Sequence, residues 1–292
     1  MTNLKIFCYH IFCGFFLGIS AFAPGFSGSV MAITMGIYSD LVRIMSNPFK
    51  EIRKNLSFFI ALAIGIAISG ILFVLAFSAL IERYPRATLL LFVGLILGNL
   101  PMIAQEVKKV PFQKRYLIGG LLAFALALTL TLFGFGVGHA TGADTEGILL
   151  LRLVFAGFIA GAITLVPGMS ISAILIMLGA YGPLIAMVRG LLGLNWNYLP
   201  PFFGILLTAA LGLVLTARLI KRIFKRFPGF ANACIFGFMS GTLIGIFMES
   251  LDVYDPGFTW LQGGLTFAAG LGASFLFILL GKKMGKKTER YS

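Results

Sequence analysis

Residues 24–29 read PGFSGS, and residues 167–172 read PGMSIS. The match continues without a gap from Gly14 onward at one constant shift along the chain. This shift, which carries Pro24 onto Pro167, is called the repeat offset below. Proline, glycine and serine keep the register, which chance similarity between apolar segments would not preserve. The sequence therefore predicts two homologous halves, residues 1–143 and 144–292, within one integral membrane domain.

The composition of the 292-residue chain is typical of a membrane protein. Hydrophobic residues make up 59% and charged residues 11%, against about 25% charged residues in an ordinary soluble domain. Several apolar stretches approach the ~20 residues that span a bilayer, which excludes a soluble enzyme. The net charge of +13 lies in short loops beside these stretches. It indicates cytoplasmic loops that contact anionic membrane lipids. We therefore expect no nucleic-acid partner.

Each half contains five apolar stretches, and the loops between them differ in charge. The stretches cover about 6–23, 27–45, 56–80, 87–104 and 116–137, then about 149–166, 170–189, 199–218, 231–248 and 260–281. Basic loops lie at 43–54, 108–115, 218–226 and 282–290, and acidic or neutral loops at 139–146, 190–198 and 249–255. Placing the basic loops inside puts both termini in the cytoplasm. The halves then enter the membrane from opposite sides, as inverted-topology repeats of an all-α polytopic protein.

The first two stretches of each half are expected to form a re-entrant helical hairpin, followed by three membrane-spanning helices. Pro24 ends the incoming helix and Gly25 permits the turn. The link at residues 23–26 is short, apolar and uncharged, so it fits at membrane depth where protein shields it. The sequence leaves open the alternative of two ordinary spans joined by a tight turn at the membrane surface.

The helix that follows each break is a candidate anion site. It begins inside the protein with unpaired N–H groups and the positive end of a helix dipole, which suit phosphate or carboxylate. Serine hydroxyls can cap both helices, and inversion is expected to bring the two helix ends together near the middle of the membrane. The candidate binding residues are Pro24, Gly25, Ser27, Gly28, Ser29, Pro167, Gly168, Ser170, Ser172 and Arg152.

Several other polar residues have two interpretations. Arg152 either anchors its helix at the membrane interface or receives a phosphate headgroup, since guanidinium binds phosphate in fork geometry. Tyr38 and Tyr181 end the two hairpins, and we expect them at the membrane interface. Asn99 and Thr242 are expected to form hydrogen bonds between helices.

An intramembrane serine hydrolase is a weaker alternative. Residues 25–28 read GFSG, which matches the G-x-S-G signature of rhomboid proteases, but a serine nucleophile needs a histidine base within hydrogen-bond reach. His139 falls in an apparent outer loop, His10 lies a turn or more away, and Ile171 replaces the last glycine in the second copy. We therefore predict no catalytic residue, no metal site and no cofactor.

Four motifs spread along the chain carry a family likeness. They are PGFSG…GIY at 24–38, GLILGNLP at 94–101, PGMS…GAY at 167–181 and GFMSGTL at 237–243. In this order they resemble the bacterial polyprenyl-phosphate transporters. The resemblance implies that undecaprenyl phosphate moves from the outer to the cytoplasmic leaflet of the inner membrane, where the carrier lipid is reused in cell-envelope synthesis. A carrier of a small soluble anion is the alternative, and the question of a homo-oligomer stays open.

Overall fold

The described part of the chain is helical in the computed structural model. The structure describes residues 3–23, 28, 31–32, 35–41, 55–111, 113–131, 146–164, 166 and 171–288. Within these residues there is no β-strand. Six of the described helices are long and apolar enough to cross a membrane by length and composition. The predicted class, an all-α protein with several membrane spans, is confirmed.

The helix bounds repeat along the chain. The first half contains α1 (Asn3–Phe22), α2 (Leu56–Arg83), α3 (Pro85–Lys108) and α4 (Lys114–Leu130). The second half contains α5 (Glu146–Ile163), α6 (Ile171–Met177), α7 (Tyr181–Leu192), α8 (Leu199–Arg226), α9 (Pro228–Asp252) and α10 (Trp260–Thr288). Helices α5, α8 and α9 start at positions that the repeat offset assigns to the starts of α1, α2 and α3.

The apolar stretch predicted at 170–189 contains two helices. It is divided into α6 and α7 around Gly179, whose φ is 64°. The Ala180 N–H donates to the Leu175 carbonyl at 2.8 Å, the bond that closes a helix end around a left-handed glycine. Gly36 has a φ of 70° and stands at the matching position of the first half, where most of the stretch 27–45 lies outside the described residues.

Glycines let two pairs of helices pack in parallel at close range. A Cβ built on Gly14 of α1 would lie 2.9 Å from the Leu62 Cα of α2, so only glycine allows this approach. In the second half, a Cβ on Gly161 of α5 would lie 2.8 Å from the Ala209 Cα of α8. Such small-residue contacts are typical of helix pairs in membranes. The pairs α1–α2 and α5–α8 are therefore held in the same way.

The remaining long helices exchange partners between the halves. Helix α3 packs along α10, and α9 packs along α4. The Asn99 Nδ2 of α3 donates to the Ser274 Oγ of α10 at 2.7 Å, which confirms the hydrogen bond between helices predicted for Asn99. Thr242 donates to the Phe238 carbonyl of its own helix at 2.9 Å.

Helices α3 and α9 also contact each other and run antiparallel. Near the start of α3, the Arg86 Nη2 donates to the carbonyls of Leu251 at 2.9 Å and Val253 at 2.7 Å, at the end of α9. Near the end of α3, the Glu106 carbonyl accepts a bond of 3.4 Å from Asn232, in the first turns of α9. Two helices that begin at equivalent positions of the two halves thus point in opposite directions.

Charge divides between the two ends of this helix bundle. The end where α3 begins holds an ion pair between Glu82 and Arg189 and the hydrogen bond from the Arg86 N–H to Asp255 Oδ2 at 3.4 Å. The end where α3 finishes holds the basic segment 108–115. This separation agrees with basic loops on a single side of the membrane.

Candidate functional site

The two Pro-Gly breaks lie mostly outside the described residues. Pro24, Gly25, Ser27, Ser29, Pro167, Gly168 and Ser170 all lie there. Gly28, Ser172 and Arg152 are described, together with the residues that lead into each break.

The segment after the first break returns along α1. A Cβ on Gly28 would lie 3.4 Å from the Ser20 Oγ. Farther from the break on both sides, the Tyr9 hydroxyl donates to the Met35 carbonyl at 2.7 Å. Gly28 lies near Ser20 and Met35 lies near Tyr9, so residues farther after the break contact residues farther before it. The segment after the break is therefore antiparallel to α1.

Both breaks follow residues that lie beside the middle of a long helix. The Phe22 ring lies 2.8 Å from a Cβ built on Gly70, which is the fifteenth of the 28 residues of α2. In the second half, a Cβ on Gly212, the fourteenth of the 28 residues of α8, would lie 3.1 Å from the Ala162 nitrogen. Helices of this length extend about 42 Å, so both incoming helices end well inside the hydrophobic part of the bundle.

Tyr181 connects the second hairpin to the end of α1. Its side chain is 1% exposed, and its hydroxyl donates to the Phe22 carbonyl at 2.8 Å. Its ring packs edge-on against Phe77 and Phe92, with ring centres 5.3 and 6.5 Å away. The prediction of an interfacial tyrosine is wrong for Tyr181, because the hydroxyl satisfies a helix-end carbonyl and the ring fills the core.

Buried serines lie on α1 and α2, the helices next to the first break. Ser20 of α1 and Ser69 of α2 are each 1% exposed, and they donate to carbonyls of their own helices at 2.7 and 3.0 Å. Ser172, the second residue of α6, is completely buried. Ser172 is among the candidate binding residues predicted from the sequence, whereas Ser20 and Ser69 were not singled out.

Ser78 of α2 carries a further buried hydroxyl. The residue is 7% exposed, and its Oγ has no hydrogen-bond partner among the described residues. A buried hydroxyl left without a partner costs about 1–3 kcal/mol. Ser78 follows Phe77, which packs on Tyr181, so this polar group lies on the helix that borders the first break.

Arg152 lies in the second turn of α5 and is half-buried. At the repeat offset it corresponds to Tyr9, whose hydroxyl contacts Met35 in the returning segment of the first half. Arg152 thus occupies the helix position that faces the returning segment in the other copy.

The residues needed for hydrolytic or metal chemistry are not gathered in the described part of the chain. His10 packs edge-on against Phe58, with ring centres 4.7 Å apart, and His139 lies outside the described residues. No group of three His, Cys, Asp or Glu residues that could hold a metal ion occurs among the described residues.

A family model described as undecaprenyl phosphate translocase-like matches residues 17–255. The chain belongs to this family. It is also 26% identical over 243 residues to a polyprenyl-phosphate transporter of Staphylococcus aureus (strain NCTC 8325 / PS 47), covering 82% of this chain and 85% of the relative. No solved structure gave a match.

Membership of the undecaprenyl phosphate translocase-like family confirms the resemblance inferred from the four motifs. The matched region contains both Pro-Gly breaks, Arg152 and the antiparallel helices α3 and α9. Helix α10 follows it.

Proposed function

We propose that this protein translocates undecaprenyl phosphate from the outer to the cytoplasmic leaflet of the bacterial inner membrane, so that the carrier lipid is reused in cell-envelope synthesis. The family and the staphylococcal relative support a polyprenyl-phosphate substrate. The observation that carries the proposal is that both breaks follow residues beside the midpoints of α2 and α8. A headgroup that crosses a bilayer needs polar partners at that depth, because lipid tails offer none.

The proposed architecture is a pair of inverted repeats, residues 1–143 and 144–292, each with a re-entrant hairpin. The antiparallel course of α3 and α9 supports inversion, since these helices begin at equivalent positions of the two halves. In each half the helix before the break packs parallel to the next long helix, α1 with α2 and α5 with α8. This shared packing supports a repeat that includes the hairpins. Inverted repeats with broken helices commonly place the substrate site near the membrane midplane.

The proposed headgroup site consists of the two helix starts. Pro24 and Pro167 end the incoming helices, and backbone N–H groups from Gly25, Gly28 and Gly168 onward face the phosphate. Ser27, Ser29, Ser170 and Ser172 add hydroxyl donors.

Arg152 is the proposed residue that recruits the headgroup. Its guanidinium can hold a phosphate through two parallel hydrogen bonds. Its position on α5 corresponds to that of Tyr9, which reaches the returning segment of the first half. The polyprenyl tail stays in the lipid while the headgroup passes, and no bond is made or broken.

A leaflet-resolved transport assay in liposomes tests this function. The protein should move undecaprenyl phosphate between leaflets, and replacing Ser27 or Ser170 by leucine should abolish the movement. Ser57→Leu is the matched control, because Ser57 is exposed in the first turn of α2. Unchanged transport in both site variants would overturn the site, and absent lipid movement with saturable flux of inorganic phosphate would overturn the substrate.

A further inference from the structure

A groove of about 740 Å³ opens between α4 and α9, at the end of the bundle that carries the basic segment 108–115. Its apolar walls include Leu117, Leu121 and Phe124 of α4 and Phe236 of α9. Leu117 and Leu121 are 55% and 57% exposed. The groove is therefore accessible from the side of the bundle that would face lipid.

Glycines allow the two helices to touch beneath this groove. A Cβ on Gly237 of α9 would lie 2.7 Å from the Gly120 carbonyl carbon of α4, and both glycines line the groove. Close backbone contact between two helices leaves a furrow where large side chains from either helix would otherwise meet.

The groove extends through most of one membrane leaflet. The lining residues of α4 run from Tyr116 to Phe124, just over two helical turns. A helical segment of this length spans about 12 Å, against about 15 Å for half of the ~30 Å hydrocarbon core. A lipid chain that enters from the basic end would lie mostly against apolar side chains.

The rim of the groove is positively charged. Lys108 and Lys109 both line it. Glu106 pairs with Lys109 at 2.5 Å, and both lysines are exposed. Four basic residues against one acidic residue give segment 106–115 a net charge of +3, which is complementary to a lipid phosphate.

The corresponding place in the other half is filled by the chain itself. Gly263 of α10 is the counterpart of Gly120 at the repeat offset, and the Phe258 ring lies 2.6 Å from a Cβ built on Gly263. The Arg86 guanidinium covers that ring at 5.0 Å. Close packing of two helices through glycine therefore does not by itself leave an open groove. The groove stays open between α4 and α9, at the end of the bundle where the loop is basic.

We propose that the α4–α9 groove binds a polyprenyl phosphate in the leaflet at the basic end, with the phosphate at Lys108 and part of the prenyl chain along Leu117, Leu121 and Phe236. The identity of the lipid rests on the proposed function. The groove is a separate site from the helix breaks, and it would hold the lipid as it enters or leaves the protein on this side of the membrane.

Photo-crosslinking of the full-length protein in nanodiscs tests the groove. The probe is a polyprenyl phosphate with a diazirine in its chain, mapped by mass spectrometry. Labelling of α4 and α9 groove residues should fall about tenfold in Leu121→Trp, which fills the groove, and in Lys108→Gln. The controls are Leu122→Trp, at a 67% exposed leucine outside the groove lining, and Lys225→Gln, at an exposed lysine near the end of α8 that does not line the groove.

Each outcome separates the groove from the transport function. Equal labelling in Leu121→Trp and Leu122→Trp would overturn the groove, as would competition by phosphatidylglycerol as effective as competition by unlabelled polyprenyl phosphate. Groove labelling that depends on Leu121 and Lys108, in a protein that moves no lipid between leaflets, would support the groove and overturn the proposed transport. Transport without groove labelling would do the reverse.

Discussion

The hydroxyl of Tyr181 donates a hydrogen bond of 2.8 Å to the carbonyl of Phe22, across 159 residues of sequence. Phe22 is the last residue of α1, and Tyr181 is the first residue of α7. A helix-end carbonyl needs a partner from outside the helix. The second half of the chain supplies that partner at the first break.

Replacing Tyr181 by phenylalanine should lower the free energy of unfolding by about 1–3 kcal/mol, because a buried carbonyl loses its partner while the ring packing stays. Transport should slow as well, since Phe22 leads directly into the first break. Thermal unfolding in detergent and the liposome assay measure the two effects. Tyr254→Phe is the control, at a tyrosine that is 85% exposed, and equal behaviour of the two variants would contradict the role of Tyr181.

Replacing Gly161 by valine should destabilise the protein by about 1–3 kcal/mol, because a Cβ there would lie 2.8 Å from the Ala209 Cα and the backbones of α5 and α8 would have to separate. Gly204→Ala in α8 is the opposite case. No atom lies within 4 Å of a Cβ built there, so alanine should stabilise the helix by up to about 1 kcal/mol. Thermal unfolding compares the two, and a stable Gly161→Val protein would contradict the tight contact.

Replacing Ser78 by alanine should leave the free energy of unfolding unchanged or raise it, by about 3 kcal/mol at most. The change removes a buried hydroxyl whose Oγ has no hydrogen-bond partner among the described residues. Ser69 donates to the Ile66 carbonyl at 3.0 Å, so Ser69→Ala should instead lower the free energy of unfolding by about 1 kcal/mol. A clear loss of stability in Ser78→Ala, measured by thermal unfolding without substrate, would count against an unsatisfied hydroxyl.

Replacing Arg152 by glutamine should raise the lipid concentration needed for half-maximal transport about tenfold, the effect of losing roughly 1.4 kcal/mol of binding. Arg152→Lys should recover part of this effect, because lysine keeps the charge but not the fork geometry. Thermal unfolding in detergent checks that both variants remain folded. Titration of undecaprenyl phosphate in liposomes gives the comparison, and equal affinities in all three proteins would remove Arg152 from the site.

Residue patterns predicted the helical framework well. The repeat offset found in the sequence reappears between the starts of α1, α2 and α3 and those of their counterparts α5, α8 and α9. Asn99 was correctly expected to bond another helix. These features could be predicted because apolar length, helix-breaking residues and isolated amides each have one dominant physical role in a membrane.

Tyr181 shows where prediction from the sequence failed. A tyrosine at the end of an apolar stretch is typical of an interface, and only the folded chain reveals that the Phe22 carbonyl lies within reach of its hydroxyl. The helix end at Gly179 lies where the sequence ended the second hairpin. Most of the residues predicted at the two breaks lie outside the described part of the chain, so they remain predictions.

The exchange of helices between the halves has a consequence for biosynthesis. Helices α3 and α4 emerge from the ribosome early, yet their packing partners α10 and α9 are synthesised last. The early helices must wait in the bilayer with their glycine-lined faces uncovered until translation is nearly complete. A chain truncated before α9 should therefore insert but not assemble, and quality-control proteases would be expected to remove it.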